Sequence, residues 1–167
     1  MLTPSVYWVP APQGARLAVM PCPRGHEWLF EELSGWRRAG VDSVISLLED
    51  REVRDLGLTE EARLCRSLGM SFLSFPVPDR GVPASVRETA LVVEKVRAEV
   101  IAGVGVGIHC LAGIGRSPLL AACVLLKLGV SEERVFPILS QARGAQVPDT
   151  SVQVKWLGTF LREGNEA

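Results

Sequence analysis

The amino-acid sequence predicts an α/β domain in which a central, mostly parallel sheet is flanked by helices. Short apolar or β-branched runs bounded by turn residues alternate with longer segments of helical periodicity, as in sheets of this kind. The 167 residues are 47% hydrophobic and 22% charged, a composition typical of one globular domain with one core. We therefore expect a single domain spanning 1–167, with the Pro-rich segment 1–23 packed on it.

Four segments are predicted strands and six are predicted helices. Ser85 and Glu88 form a capping box, and Thr59 is a candidate cap for an earlier helix. The helix beginning at Gly115 is apolar on every side, which predicts that it is buried in the middle of the domain. The predicted strands are 16–20, 43–48, 71–77 and 104–109, and the predicted helices are 27–39, 59–68, 85–101, 115–128, 131–141 and 150–161.

Charge and hydropathy argue against several classes of protein. With 18 basic and 19 acidic residues the formal charge is −1, so nothing favours general binding to nucleic acid or to an anionic membrane. The longest apolar run, 118–126, is far shorter than the roughly 20 residues that a membrane-spanning helix needs. No secretory signal is visible in the first four residues, so the expected location is cytoplasmic.

The four cysteines and two histidines indicate neither a disulfide-stapled scaffold nor a paired metal-ligand spacing. We therefore expect no metal and no cofactor. Cys123 lies in the apolar helix and is expected in the core. Cys22 and Cys65 are candidates for a protective disulfide with an oxidised Cys110.

The junction that follows His109 predicts an anion-binding loop between a strand and a buried helix. Gly113 and Gly115 tolerate positive φ, so successive backbone N–H groups can turn inward beside the partial positive charge of the helix start. Arg116 adds a planar, two-pronged donor for phosphate oxygens. The predicted substrate-binding residues are Leu111, Ala112, Gly113, Ile114, Gly115 and Arg116.

Cys110 is the predicted nucleophile of this loop. A thiol at a helix N-terminus beside an arginine has its pKa lowered from about 8.5 to between roughly 3.5 and 7.5. The thiolate beneath a bound phosphate would attack phosphorus in line and form a phosphocysteine, which water later hydrolyses. Ser117 is expected to stabilise the departing sulfur, and His109 to orient the loop through backbone groups.

The residues His109, Cys110, Gly113, Arg116 and Ser117 match the signature of the cysteine-dependent protein tyrosine phosphatases. The chain resembles their compact dual-specificity branch, and within it the type associated with cyclin-dependent kinases. This resemblance implies a dual-specificity phosphatase-like fold and a metal-independent hydrolase. It implies activity on phosphotyrosine and on phosphoserine or phosphothreonine of protein substrates.

The resemblance also bears on the acid and on the hydrolytic water. Asp79 follows the predicted strand 71–77 and so shares the carboxyl edge of the sheet with Cys110, where the family carries an aspartate as general acid. Such an acid typically raises the reaction rate by about 10²–10⁴-fold. The same carboxylate can then take a proton from the attacking water. Gln153 resembles the family glutamine that positions this water. Ordinary turn chemistry is the alternative role of Asp79. The alternative acids are Asp149, for which helix capping before Thr150 is the other expected role, and Asp50 and Glu52, for which it is a solvated helix start.

Two further features bear on the substrate. Ala112 and Ile114 occupy loop positions where phosphoinositide phosphatases carry lysines, which favours phosphoproteins over inositol phosphates. Tyr7 is the only tyrosine, so the tyrosine-containing loop that deepens the pocket of large tyrosine-specific enzymes is missing and a shallow pocket is expected. The alternatives are a rhodanese-like sulfurtransferase, a low-molecular-weight phosphatase or arsenate reductase, and a catalytically silent phosphoprotein-binding module. The physiological substrate and the oligomeric state are not predicted.

Overall fold

The computed structural model describes residues 3–164 and contains one five-stranded sheet with helices on both faces. Met1, Leu2 and 165–167 lie outside the described residues, so the predicted domain and its N-terminal segment are described only in part. The strands are β1 (Tyr7–Val9), β2 (Leu17–Met20), β3 (Ser43–Ser46), β4 (Ser71–Ser74) and β5 (Val106–His109). The helices are α1 (Leu29–Arg38), α2 (Asp50–Asp55), α3 (Glu61–Ser67), α4 (Val86–Ile101), α5 (Arg116–Lys127), α6 (Glu132–Arg143) and α7 (Ser151–Glu163).

The strand order is β1-β2-β5-β3-β4, and every pairing except that of β1 with β2 is parallel. The predicted α/β class is therefore confirmed. β5 lies between β2 and β3, and all of its residues are buried. Because parallel strands end at a common edge, the residue after β5 lies near the middle of that edge.

The helix α5 is the central helix of the domain. Its residues from Arg116 to Leu125 are all buried, and the apolar run that begins at 118 predicts this burial. It packs on β2 and β5 and against α4, α6 and α7, while a second apolar cluster on the other face of the sheet contains residues of α1 and α3. Because α5 packs against neighbours on all sides, its N-terminus has a fixed position next to the carboxyl end of β5.

Several predicted boundaries differ from the structure. The strand β1 was not predicted, because three residues in a Pro-rich segment carry no clear alternation. The short helix α2 was anticipated only as a possible helix start. Thr59 does not cap α3, which begins at Glu61, whereas the Ser85 hydroxyl caps α4 by accepting a hydrogen bond from the Glu88 N–H.

Candidate active site

The site is built around the loop that joins β5 to α5. Cys110 follows the last residue of β5, Gly115 is the N-cap of α5, and Arg116 is its first residue. The loop therefore runs from the carboxyl edge of the sheet directly onto a helix N-terminus, where the helix dipole favours an anion.

The two loop glycines are required for different reasons. Gly113 has φ +74°, the left-handed conformation expected of it, and an added Cβ would lie 2.8 Å from the carbonyl carbon of Met20. The expectation of positive φ at Gly115 is wrong, because its φ is −121°. Glycine is needed there for close approach, since a Cβ would lie 2.4 Å from Asp149 Oδ1.

Three successive carbonyl groups of the loop are held from outside. The Leu111 carbonyl accepts a hydrogen bond from the Cys22 N–H at 2.9 Å. Arg143, the last residue of α6, donates from Nη2 to the Ala112 carbonyl at 3.0 Å and from Nε to the Gly113 carbonyl at 3.2 Å. In a planar trans peptide the N–H points opposite to the C=O, so these contacts direct the following N–H groups toward the inside of the loop.

Ser117 lies directly beside the candidate nucleophile. Its Oγ is 2.8 Å from Cys110 Sγ and donates a hydrogen bond to the sulfur. Both residues are buried, and Cys110 is only 3% exposed. A hydroxyl in this position stabilises negative charge on the sulfur, whether the sulfur is a free thiolate or a leaving group.

His109 and Glu61 form a buried pair behind the nucleophile. His109 Nε2 is 2.6 Å from Glu61 Oε1, and the two side chains are 0% and 2% exposed. The other ring nitrogen, Nδ1, lies 3.3 Å from the Cys110 carbonyl oxygen. His109 therefore lies between Glu61 and the backbone of Cys110, and its proposed role of orienting the loop stays a prediction.

Arg116 is buried and is held in place by Glu52. Its Nη1 and Nη2 donate to the two carboxylate oxygens of Glu52 at 2.9 and 2.8 Å, a bidentate pair. Nη1 also donates to the carbonyls of Val77 and Leu47. Burial opposes a charged Arg116, but the bond to Glu52 and nearby negative groups hold its pKa above the ordinary value. The same bond lowers the pKa of Glu52.

Asp79 reaches the same guanidinium from the loop after β4. Its Oδ1 accepts a hydrogen bond from Arg116 Nη2 at 3.2 Å, and its side chain is 56% exposed. The contacts of Arg116 with Glu52 and Asp79 use Nη1 and Nη2. The Nε of Arg116 takes no part in these contacts.

Cys110, Arg116 and Asp79 line one pocket with a volume of about 260 Å³. Two residues complete it, one just before α7 and one in its first turn. Gln153, predicted to position water, is buried, and its Nε2 donates to the Gly81 carbonyl at 3.1 Å. Asp149 precedes the capping residue Thr150 and lies 3.6 Å from Arg80 Nη1 through Oδ2. The lining residues are Asp79, Arg80, Cys110, Leu111, Ala112, Ile114, Gly115, Arg116, Asp149 and Gln153.

The other cysteines lie outside this pocket, and all four cysteines are free. Burial raises the pKa of Cys22 to about 11 and that of Cys65 to about 12, and negatively charged neighbours add to both effects. Cys123 is fully buried in the core as expected, and burial raises its pKa as well. None of the three is a thiolate near neutral pH.

Two residues with a direct part in this geometry, Glu52 and Glu61, were missed or misread from the sequence. Glu52 was considered as an acid or as part of a solvated helix start, and Glu61 was not considered. Glu52 lies in α2, just after β3, so the carboxyl-edge argument used for Asp79 also applies to it. Glu61 has no such signal, because its partner is 48 residues away in the chain.

The chain is similar to known phosphatases in sequence. Residues 18–130 match the family model described as "Polymorphic toxin system, DSP-PTPase phosphatase". Protein tyrosine phosphatase PRL-1 of Leishmania major is 28% identical over 137 residues, which cover 74% of this chain and 77% of that protein. Cyclin-dependent kinase inhibitor 3 of Sus scrofa is 33% identical over 126 residues, with 74% of this chain and 59% of that protein covered.

Solved structures extend the likeness to the whole described fold. The kinase associated phosphatase, solved with its catalytic-site cysteine replaced by serine, superposes with a TM-score of 0.90 at 20% identity over 100% of this chain and 99% of that chain. Tk-PTP in its active form gives a TM-score of 0.76 at 25% identity over 99% of both chains. Among the described residues, no helix is both long and apolar enough to cross a membrane. The family match across two thirds of the chain, together with this fold, shows that the protein belongs to the DSP-PTPase phosphatases.

Proposed function

We propose that this chain hydrolyses phosphate monoesters on proteins, phosphotyrosine and also phosphoserine or phosphothreonine, through a phosphocysteine at Cys110. One observation carries the proposal. A buried cysteine sulfur that accepts a hydrogen bond from Ser117 lies at a helix N-terminus, in one pocket with a buried arginine and a carboxyl group. Nucleophile, anion receptor and proton donor are the three parts that transfer of a phosphoryl group to an enzyme side chain requires.

The first chemical step follows from these positions. The phosphate binds to the inward N–H groups of residues 111–116 and to the Nε and Nη2 edge of Arg116. Cys110 Sγ attacks phosphorus, the bond to the ester oxygen breaks, and Asp79 gives its proton to that oxygen. The second step breaks the S–P bond, and the Ser117 hydroxyl stabilises the electron pair that returns to sulfur.

The rim of the pocket supports a protein substrate. Leu111 is 40% exposed, and Ala112 and Ile114 beside it carry no charge. An apolar rim suits the ring of phosphotyrosine, while a head group with several phosphates would find no lysine on these loop positions. We also propose that the chain acts as one domain in the cytoplasm, where reduced thiols are maintained.

The proposal is tested by the Cys110→Ser and Cys110→Ala variants with para-nitrophenyl phosphate and phosphopeptides in metal-free buffer. The native chain is expected to turn over both kinds of substrate, and both variants are expected to lose turnover. Cys110→Ser should still bind phosphopeptide, because the anion loop is retained. Turnover that survives in both variants would contradict a cysteine nucleophile, and binding without turnover by the native chain would indicate a silent binding module.

A further inference from the structure

Arg143 binds the anion loop, residues 110–116, from outside the phosphate pocket. Its Nε and Nη2 donate to two neighbouring carbonyls, that of Gly113 at 3.2 Å and that of Ala112 at 3.0 Å. Nε and Nη2 lie on one edge of the planar guanidinium, so one side chain fixes two successive peptide groups, which a lysine ammonium cannot reproduce. Arg143 does not itself line the pocket, so any part that it has in binding phosphate is indirect.

The same guanidinium lies over the ring of Tyr7. Arg143 Cζ is 4.3 Å from the ring centre, within the roughly 6 Å over which a cation–π attraction acts. Both residues are half-buried, and partial removal from water strengthens this attraction. Tyr7 lies in the edge strand β1, where it pairs with Val19 of β2, and α6 packs against the same strand. The ring therefore has a fixed position and limits where the guanidinium can move.

The orientation of the two peptide groups decides whether the loop attracts or repels an anion. With the carbonyls of Ala112 and Gly113 bound to Arg143, the N–H groups that follow them point the opposite way. Rotation of either peptide group would turn a carbonyl oxygen toward the phosphate instead. Gly113, at φ +74°, offers little steric resistance to such a rotation, because glycine has no Cβ. The outward orientation of the carbonyls therefore depends on the donor that binds them.

We propose that Tyr7 and Arg143 act as one pair of positioning residues for the phosphate-binding N–H groups, with Tyr7 acting only through Arg143. The inference rests on the proposed phosphatase function and extends its anion site to the edge strand of the sheet. Neither residue lines the pocket in which the reaction takes place. Loss of the pair should therefore weaken the binding of a tetrahedral dianion while Cys110, Asp79 and Ser117 stay in place.

The test measures the binding of tungstate, a tetrahedral dianion like phosphate, by isothermal titration calorimetry. All variants are made in the Cys110→Ser chain, so that binding is measured without turnover. Arg143→Lys keeps the positive charge but cannot bond both carbonyls, and it should weaken tungstate binding by at least about 10-fold. Tyr7→Leu removes the ring and should weaken binding by about 5-fold, whereas Tyr7→Phe keeps the ring and should bind tungstate as its parent does.

Trp8→Leu is the matched control, because it removes a similar contact from the next residue of β1. Arg16 Cζ is 5.0 Å from the centre of the Trp8 ring. Arg16 donates to the carbonyls of Gly40 and Gly103, which are outside the anion loop. Trp8→Leu should lower the midpoint of thermal unfolding, as Tyr7→Leu does, and leave the tungstate affinity unchanged. A role of Tyr7 in stability alone would make the two variants alike in both measurements.

The double variant Tyr7→Leu/Arg143→Lys tests whether Tyr7 acts through Arg143. Its tungstate affinity should fall no further than in Arg143→Lys alone, since the two-pronged bond that Tyr7 supports is already lost. Losses that add in the double variant would overturn the proposal. It would also be wrong if Tyr7→Leu or Arg143→Lys bound tungstate as the parent does, or if Tyr7→Phe or Trp8→Leu lost as much affinity as Tyr7→Leu. A Cys110→Ser parent that binds no tungstate, or that retains turnover, would instead overturn the proposed function.

Discussion

The guanidinium of Arg116 divides its donors between the protein and the expected phosphate. Two nitrogens bind Glu52 in a bidentate pair, and this pairing fixes the plane of the guanidinium before any ligand arrives. A buried arginine without such a partner would carry an uncompensated charge. The role of Glu52 is therefore to place the arginine, whereas the sequence suggested only an acid or a solvated helix start.

The Glu52→Gln variant tests this pairing through the pH dependence of stability. The bond from Arg116 lowers the pKa of Glu52 in the folded state below its ordinary value of 4.5. The folded state therefore binds this proton less readily, so the contribution of Glu52 is fully present above about pH 4.5 and is lost as pH falls through the lower, folded-state pKa. Urea unfolding should show that the variant is less stable at neutral pH and that its difference from the native chain shrinks in acid. A difference that does not change with pH would contradict the charge pairing.

The loop after β4 and the start of α7 act together as structural elements. The loop carries Asp79, and the start of α7 carries Asp149 and Gln153. Two contacts join them: Arg80 lies beside Asp149, and Gln153 donates to the Gly81 carbonyl. The position of Asp79 was predictable, because it follows a strand whose end lies at the carboxyl edge. The contribution of α7 was harder to predict, since its neighbours in this pocket lie far away in sequence.

The Asp79→Asn variant tests the acid assignment by its dependence on the leaving group. Turnover of phenyl phosphate should fall by about 10²-fold or more, because phenoxide leaves poorly without a proton. Turnover of dinitrophenyl phosphate, whose leaving group needs no proton, should change little. Asp50, an exposed residue that was an alternative acid, provides the control. The loss of turnover in Asp50→Asn should not depend on the leaving group. An equal loss on both substrates in Asp79→Asn would assign the proton to another group.

At the scale of the whole molecule, the pair of Glu61 and His109 connects a helix on one face of the sheet to its central strand. Glu61 is the first residue of α3, and His109 is the last residue of β5, against the ring of Trp36. Both polar side chains lie among apolar residues, where each satisfies the other. The active-site loop thus depends on packing that extends beyond the pocket.

The Glu61→Leu variant measures this dependence. It leaves His109 Nε2 without its partner in the core, at a cost of about 1 to 3 kcal/mol in the free energy of unfolding. The same change at Glu60, which is exposed and one residue earlier, should alter stability by no more than about 0.5 kcal/mol. Thermal or urea unfolding of both variants provides the comparison. If Glu61→Leu and Glu60→Leu had the same free energy of unfolding, the buried pair would add nothing to the stability of the fold.

The sequence by itself determined the α/β class, the strands and helices other than β1 and α2, the buried helix α5, and the loop with Cys110, Arg116 and Ser117. These features depend on residues that are close in the chain, so periodicity, caps and spacing describe them. Tertiary structure alone decided that Glu52 holds Arg116, that Glu61 pairs with His109, and that Gly115 is needed for close approach rather than positive φ. Each of these contacts joins residues far apart in sequence, and only the packing of helices on the sheet brings them together.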